Sequence, residues 1–196
     1  MTSTTLAPSR ALQLKASTAD VHDNIDKSIM DKDPFANTEN YIQFLTLQYY
    51  FLNDVSALYG HSELNMVIEN LAARRRLNML EQDFQDLEYP VPASAFTSLI
   101  SNETDLATAL GWLYVVEGSK VGAAMLGKQA QARLLLTKKY GARYLSGPGA
   151  GRGSDWRHLV QLIDSIELND TQERALINGA RQAFTRFQLF QAHVYS

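Results

Sequence analysis

Apolar residues recur along almost the whole chain at intervals of three, four and seven, the period of one face of an α-helix, and no convincing alternating run interrupts them. Leu14, Val21, Ile25 and Ile29 mark a first helix by this spacing. Asp33-Pro34-Phe35 reads as a turn. Asn37 or Thr38, with Glu39 just beyond, caps a second helix expected to run to about Tyr59, where Gly60 stops it. Its apolar set, including Tyr41, Phe44, Leu45, Leu52 and Leu58, is too broad for one stripe and predicts burial on more than one side. A third helix, bent along its length, is expected from Ser62 or Glu63 to about Leu87. Tyr89-Pro90-Val91-Pro92 must be an extended connector, because proline disfavours helix both at its own position and just before it. A short helix from Ala93 to Ile100 and a long one from Asp105 to about Tyr140, ended by Gly141, come next. The glycine-rich stretch Ser146 to Ser154 is a loop. Two helices close the chain, Asp155 to Ile166 and Thr171 to the carboxyl end, with Asn169-Asp170 supplying the last cap. The expected fold is all-α: a single-domain multi-helix bundle over residues 11–196, preceded by a disordered tail over residues 1–10.

A chain of 196 residues needs only one domain, and a domain of that size buries roughly 70% of its unfolded surface without covalent staples. There is no cysteine, which excludes disulfides, thiolate metal sites, iron–sulfur clusters and covalent haem attachment through thioethers. Lysine and arginine total 18 against 21 acidic residues, a net charge of −3 that argues against a nucleic-acid partner. The one dense basic run, Arg74-Arg75-Arg76, reads as a solvated helix face. Met1 to Arg10 lacks the apolar core of a secretory signal, and no apolar run approaches the ~20 residues that cross a bilayer. A cytoplasmic protein without a membrane partner is expected.

Several chemistries fail on their own requirements. The glycine loop follows no strand and carries no Gly-Lys-Ser/Thr, so it is not a phosphate cradle. A di-iron carboxylate bundle needs Glu-x-x-His pairs, and none occurs. No Gly-x-Ser-x-Gly elbow is present for a serine hydrolase.

Two segments retain chemical meaning. In the first helix His22 and Asp26 are four apart and share a face, so the carboxylate can hold one imidazole nitrogen while the other faces a metal. Lys15, seven residues before His22, lies two turns along the same side. By itself this pattern also suits an ordinary structural histidine. In the long helix, Gly118 and Gly122 share a face, and each costs ~1 kcal/mol relative to alanine. Either two helices pack tightly there or a flat ligand lies across bare backbone. Tyr114 sits one turn before Gly118.

Together the segments resemble the haem oxygenase family, especially its bacterial branch. The resemblance rests on Lys15-x6-His22 and on Leu113-Tyr114-Val115-Val116-Glu117-Gly118-Ser119-Lys120-Val121-Gly122. It continues more weakly through Lys32-Asp33-Pro34-Phe35, Gln48-Tyr49, the Tyr89–Pro92 connector and Ile166-Glu167-Leu168-Asn169.

The resemblance implies that His22 is the proximal iron ligand, supported by Asp26, and that Lys15 and Tyr114 hold the propionates of haem b. Gly118, Ser119 and Gly122 would form the distal wall. Approximate alignment places Arg76 and Gln48 in a distal water network, although both also read as ordinary polar residues between helices. Haem would be substrate and cofactor at once, opened at a meso carbon (the α carbon, if both anchors seat the ring) by O₂ and electrons from an external reductase or ferredoxin. Biliverdin, carbon monoxide and ferrous iron would leave. A monomer is expected. The same histidine and glycines would equally serve a haem carrier of this fold, and a helical interaction domain without cofactor is a third reading.

Overall fold

The structure, a computed structural model, describes residues 9–93, 96–147 and 151–196. Among the described residues eight α-helices follow in order: α1 Arg10–Met30, α2 Thr38–Asp54, α3 Ser62–Val67, α4 Leu77–Asp86, α5 Leu106–Leu134, α6 Arg143–Ser146, α7 Arg152–Ser165 and α8 Asp170–Val194. Two 3₁₀ turns, Ser56–Gly60 and Leu71–Arg74, lie among them. Among the described residues the only β pairing is a pair of isolated bridges at Thr137. The all-α expectation holds.

The disordered tail expected over residues 1–10 does not include its last two residues. Residues 1–8 lie outside the described residues, but Ser9 and Arg10, expected to be disordered with them, are fixed. Ser9 caps α1 by accepting from the Leu12 N–H, and its hydroxyl donates to Asp164 at 2.9 Å. Arg10 donates to both carboxylate oxygens of Glu173 and to the carbonyls of Ile163 and Ile166. One end of α1 is thereby tied to α7 and α8. The Gln191 amide donates to Ser28 at 2.7 Å and ties the other end to α8.

Other departures have local causes. The third helix breaks into α3, a 3₁₀ turn and α4. Ile68 is extended and Asn70 adopts φ 56, although Leu64, Leu71, Leu77 and Leu80 are all buried. No glycine or proline announces that break. The helix expected over Ala93 to Ile100 is absent from Phe96 onward, positions 94 and 95 lying outside the described residues. Side chains hold that segment instead: Arg186 donates to the Thr97 carbonyl and to Asp54, and the Ser98 hydroxyl meets the carbonyls of Asp54 and Ile100. The long helix ends at Leu134, not near Tyr140, because Leu135 turns left-handed with φ 58. Of the expected glycine loop, positions 148–150 fall outside the described residues, and α7 already begins at Arg152.

The core is built on the crossing of α5 and α8. A Cβ added at Gly111 would overlap the Leu176 carbonyl oxygen and reach 2.7 Å from the Ala180 nitrogen. One added at Gly179 would overlap the Thr108 carbonyl oxygen. These two glycines let backbone rest on backbone, a contact that no side chain can enter. On another side α5 is held by buried charge. Lys120 and Glu117 pair at 2.6 Å with side chains only 4% and 5% exposed. The Tyr59 hydroxyl donates to Glu117 at 3.0 Å, and the Lys120 ammonium donates to the Arg74 carbonyl at 2.7 Å. The broken third helix thus exposes a carbonyl where the lysine needs an acceptor.

Gly111→Ala is expected to lower stability by roughly 2–3 kcal/mol through forced separation of the helices. Chemical denaturation checks this, and a loss under 1 kcal/mol would refute the close approach. Glu117→Gln is expected to cost about 3–5 kcal/mol near neutral pH, because it strands a buried ammonium. Adding Lys120→Met should recover part of that loss in a double-mutant cycle; strictly additive losses would show that the pair is not coupled.

Candidate functional site

From Ala107 to Glu117 every residue of α5 except Thr108 is buried. At Gly118 the cover stops. Ser119, Val121, Gly122, Ala124 and Met125 are exposed, with Val121 at 42% and Met125 at 72%, while Lys120 and Ala123 on the other side stay buried. Val121 and Met125, one turn apart with Gly122 beside them, form an apolar strip that no described element covers. A Cβ added at Gly122 would meet nothing within 4 Å.

Gly118 differs from Gly122. A Cβ there would come within 3.3 Å of the Trp156 indole, which reaches in from α7. The same indole lies 5.2 Å from the Tyr114 ring, centroid to centroid. Burial raises the Tyr114 hydroxyl above its usual pKa. Ser119 does not project a free hydroxyl: it donates to the Val116 carbonyl one turn back at 2.8 Å. Trp156 is a part of this wall that sequence reading missed, since nothing in the periodicity of α7 says which helix its aromatic face meets.

α1 rests on α7 and α8. Leu14, Ile25 and Ile29 are buried on one face, and His22 stands beside them with its side chain 54% exposed. Its Nδ1 lies 3.5 Å from an Asp26 carboxylate oxygen and 3.6 Å from one of Asp23. That arrangement puts the acceptors at Nδ1 and leaves Nε2 for another partner. The ring also meets Phe184 of α8 edge-on at 6.0 Å. Phe184 is thus a contact of α8 with the imidazole. Lys15, two turns earlier, is exposed.

Arg76 and Gln48, far apart in sequence, are both buried, at 6% and 8% exposed. Gln48 accepts a hydrogen bond from the Tyr144 hydroxyl at 2.9 Å. Arg76 lines a cavity of about 170 Å³ beside Glu117 and Lys120, and its Nη1 has no hydrogen-bond partner. Between them stands Tyr59. Burial pushes its hydroxyl well above the usual value, Glu117 adds to the rise, Arg76 opposes it and Tyr144 contributes a little. Burial likewise pulls the Lys120 ammonium below its usual value, against the pull of Glu117. Gln48, Tyr144, Tyr59, Glu117, Lys120 and Arg76 thus form one buried polar cluster along the covered side of α5. Tyr59 and Tyr144 gave no sequence signal of this role, because a tyrosine in an apolar helix pattern reads as core.

No group of three or more potential metal-ligating side chains occurs among the described residues. Among them, too, no helix is long and apolar enough to cross a membrane.

Residues 9–192 match the heme oxygenase family. The heme oxygenase PigA of Pseudomonas aeruginosa is 40% identical over 189 residues, covering 93% of this chain and 94% of that protein. The NO- and CO-bound heme oxygenase of Neisseria meningitidis superposes with a TM-score of 0.86 at 37% identity, over 96% of this chain and 93% of that one. A heme oxygenase from Leptospira interrogans shares the fold, with a TM-score of 0.74 at 20% identity, over 93% of this chain and 98% of that one. With the family match spanning nearly its whole length and relatives this similar, the chain belongs to the haem oxygenase family.

Proposed function

We propose that this chain binds haem b with His22 as the iron ligand and the uncovered half of α5 as the opposite wall, and that it opens the ring at the α-meso carbon. O₂ and electrons from an external reductase or ferredoxin are the co-reactants, and biliverdin, carbon monoxide and ferrous iron are the products. The observation that carries this reading is the abrupt loss of cover on α5 at Gly118, in a protein whose first helix also presents an imidazole with one nitrogen free.

The donor set fits the group. A neutral imidazole is a common axial ligand, and the chain has no thiolate to compete with it. Bound haem supplies the iron that activates O₂ and the carbon that is oxidised. The protein's part is to hold, orient and shield. Asp26 fixes the tautomer of His22 through Nδ1, and Phe184 meets its ring edge-on. Val121, Gly122 and Met125 offer a flat apolar face close to backbone. Contact with Gly118 as well requires the Trp156 indole to rotate away, which makes that side chain a flap over one edge of the wall. Exposed Lys15 and the Tyr114 hydroxyl would hold the two propionates of the ring. The Arg76–Gln48 cluster is the polar reservoir from which ordered water brings protons toward the distal side. The protein works as a monomer in the cytoplasm.

His22→Ala is expected to abolish verdin formation from hemin, O₂ and a reductant, and to change the Soret spectrum of the complex. Stability should shift by no more than about 0.5 kcal/mol, because the side chain is half exposed. An unchanged spectrum with normal turnover would refute the ligand assignment. An unaltered Soret band in wild-type protein under the same conditions would mean a carrier instead of an enzyme. Chromatography of the pigment against isomeric standards is expected to show α-biliverdin; a predominant β/δ mixture would overturn the seating by Lys15 and Tyr114.

A further inference from the structure

The methionines of this chain differ sharply in their surroundings. Met79 packs against the core, and Met30, at the end of α1, is 38% exposed. Met66 and Met125 are far more open, at 76% and 72%. Met66 belongs to α3, whose cap His61 bonds to the Thr104 carbonyl just ahead of α5, roughly 30 Å along the helix axis before Met125. Met125 belongs to the uncovered half of α5, one turn after Val121 and beside Gly122, on the apolar strip that no described element covers.

A methionine on such a strip has two relevant properties. Its unbranched, polarisable thioether packs well against a flat aromatic ring. The same sulfur, left in solvent, is open to peroxide, and the sulfoxide that forms is polar and disrupts apolar contacts. We infer that Met125 is an oxidation site, and that its conversion to the sulfoxide by hydrogen peroxide closes the apolar face of α5 to haem. In that step a sulfur lone pair attacks one peroxide oxygen, an S–O bond forms, the O–O bond breaks, and the other oxygen leaves as water. Sulfur loses two electrons and the peroxide gains them. A bound ring would cover Met125, so the hemin-free protein is the form that responds. The switch rests on the haem seat proposed above.

The test treats hemin-free, full-length protein with hydrogen peroxide, removes the excess with catalase, and follows with peptide mass spectrometry and hemin titration. Met66 and Met125 are each expected to gain one oxygen atom. Hemin affinity is expected to fall roughly tenfold, the size of one apolar side chain lost from an interface. Methionine sulfoxide reductases with a dithiol should restore it. Met66→Leu is expected to lose as much affinity on treatment as the wild type. Met125→Leu, measured against its own untreated sample, is expected to lose almost none. A loss that persists in Met125→Leu, or that Met66→Leu abolishes, would overturn the site. So would a Met125 that resists peroxide while Met66 is oxidised, or unchanged affinity in wild-type protein carrying the Met125 sulfoxide. Untreated protein that bound no hemin would instead remove the haem seat, and the switch with it.

Discussion

The architecture depends on two helices touching through their backbones. Gly111 of α5 and Gly179 of α8 leave no room for a Cβ on either side, and Trp112, fully buried next to that contact, donates its indole N–H to Gln182 across it at 3.4 Å. Once this crossing is set, α8 carries Phe184 against His22, Arg186 against the segment after the proline connector, and Glu173 and Gln191 against the two ends of α1. The position of the imidazole is thus a consequence of a glycine contact elsewhere in the molecule. Packed interiors transmit such constraints because they lack voids to absorb a shift.

The second constraint is the charge buried on the covered side of α5. A lysine–glutamate pair this deep is weak evidence of stability, since desolvation offsets most of its attraction. Its value here is positional. Glu117 and Lys120 flank Gly118 and Ser119, so fixing the two charged side chains to Tyr59 and to the Arg74 carbonyl orients the helix about its axis. That orientation turns Val121, Gly122 and Met125 outward. A helix rotated by one residue would bury the apolar strip and expose the charges, a far worse arrangement for both.

Legibility in the sequence varied with the kind of signal. Periodicity and caps predicted α1 and α8 well, and the Asn169 cap of α8 is a full capping box with Gln172; α2 stops at Asp54, short of the expected Tyr59, and a 3₁₀ turn over Ser56–Gly60 follows it. The third helix breaks at Ile68 to Arg76, where no glycine or proline marks a stop, so the interruption left no local signal. The carboxyl end of α5 was misread because a leucine, not a glycine, takes the left-handed turn. Close backbone approach through glycine does occur, at positions that the sequence reading did not single out. Gly118 and Gly122 drew attention by sharing a face, while the tightest approaches are at Gly111 and Gly179, which lie in different helices and share no local pattern. His22 and Asp26 were visible as an i, i+4 pair, but Phe184 and Trp156 were not.

The sequence by itself determined the helical class, the family and the residue types available for chemistry, because these follow from local spacing and from motifs contiguous along the chain. Tertiary structure alone decided which glycines touch, that Trp156 shelters Gly118 while Gly122 stays open, and that Arg76 ends buried with a vacant donor beside a paired Glu117. Those facts depend on which helix faces which, and no short stretch of residues encodes the distance between elements a hundred positions apart.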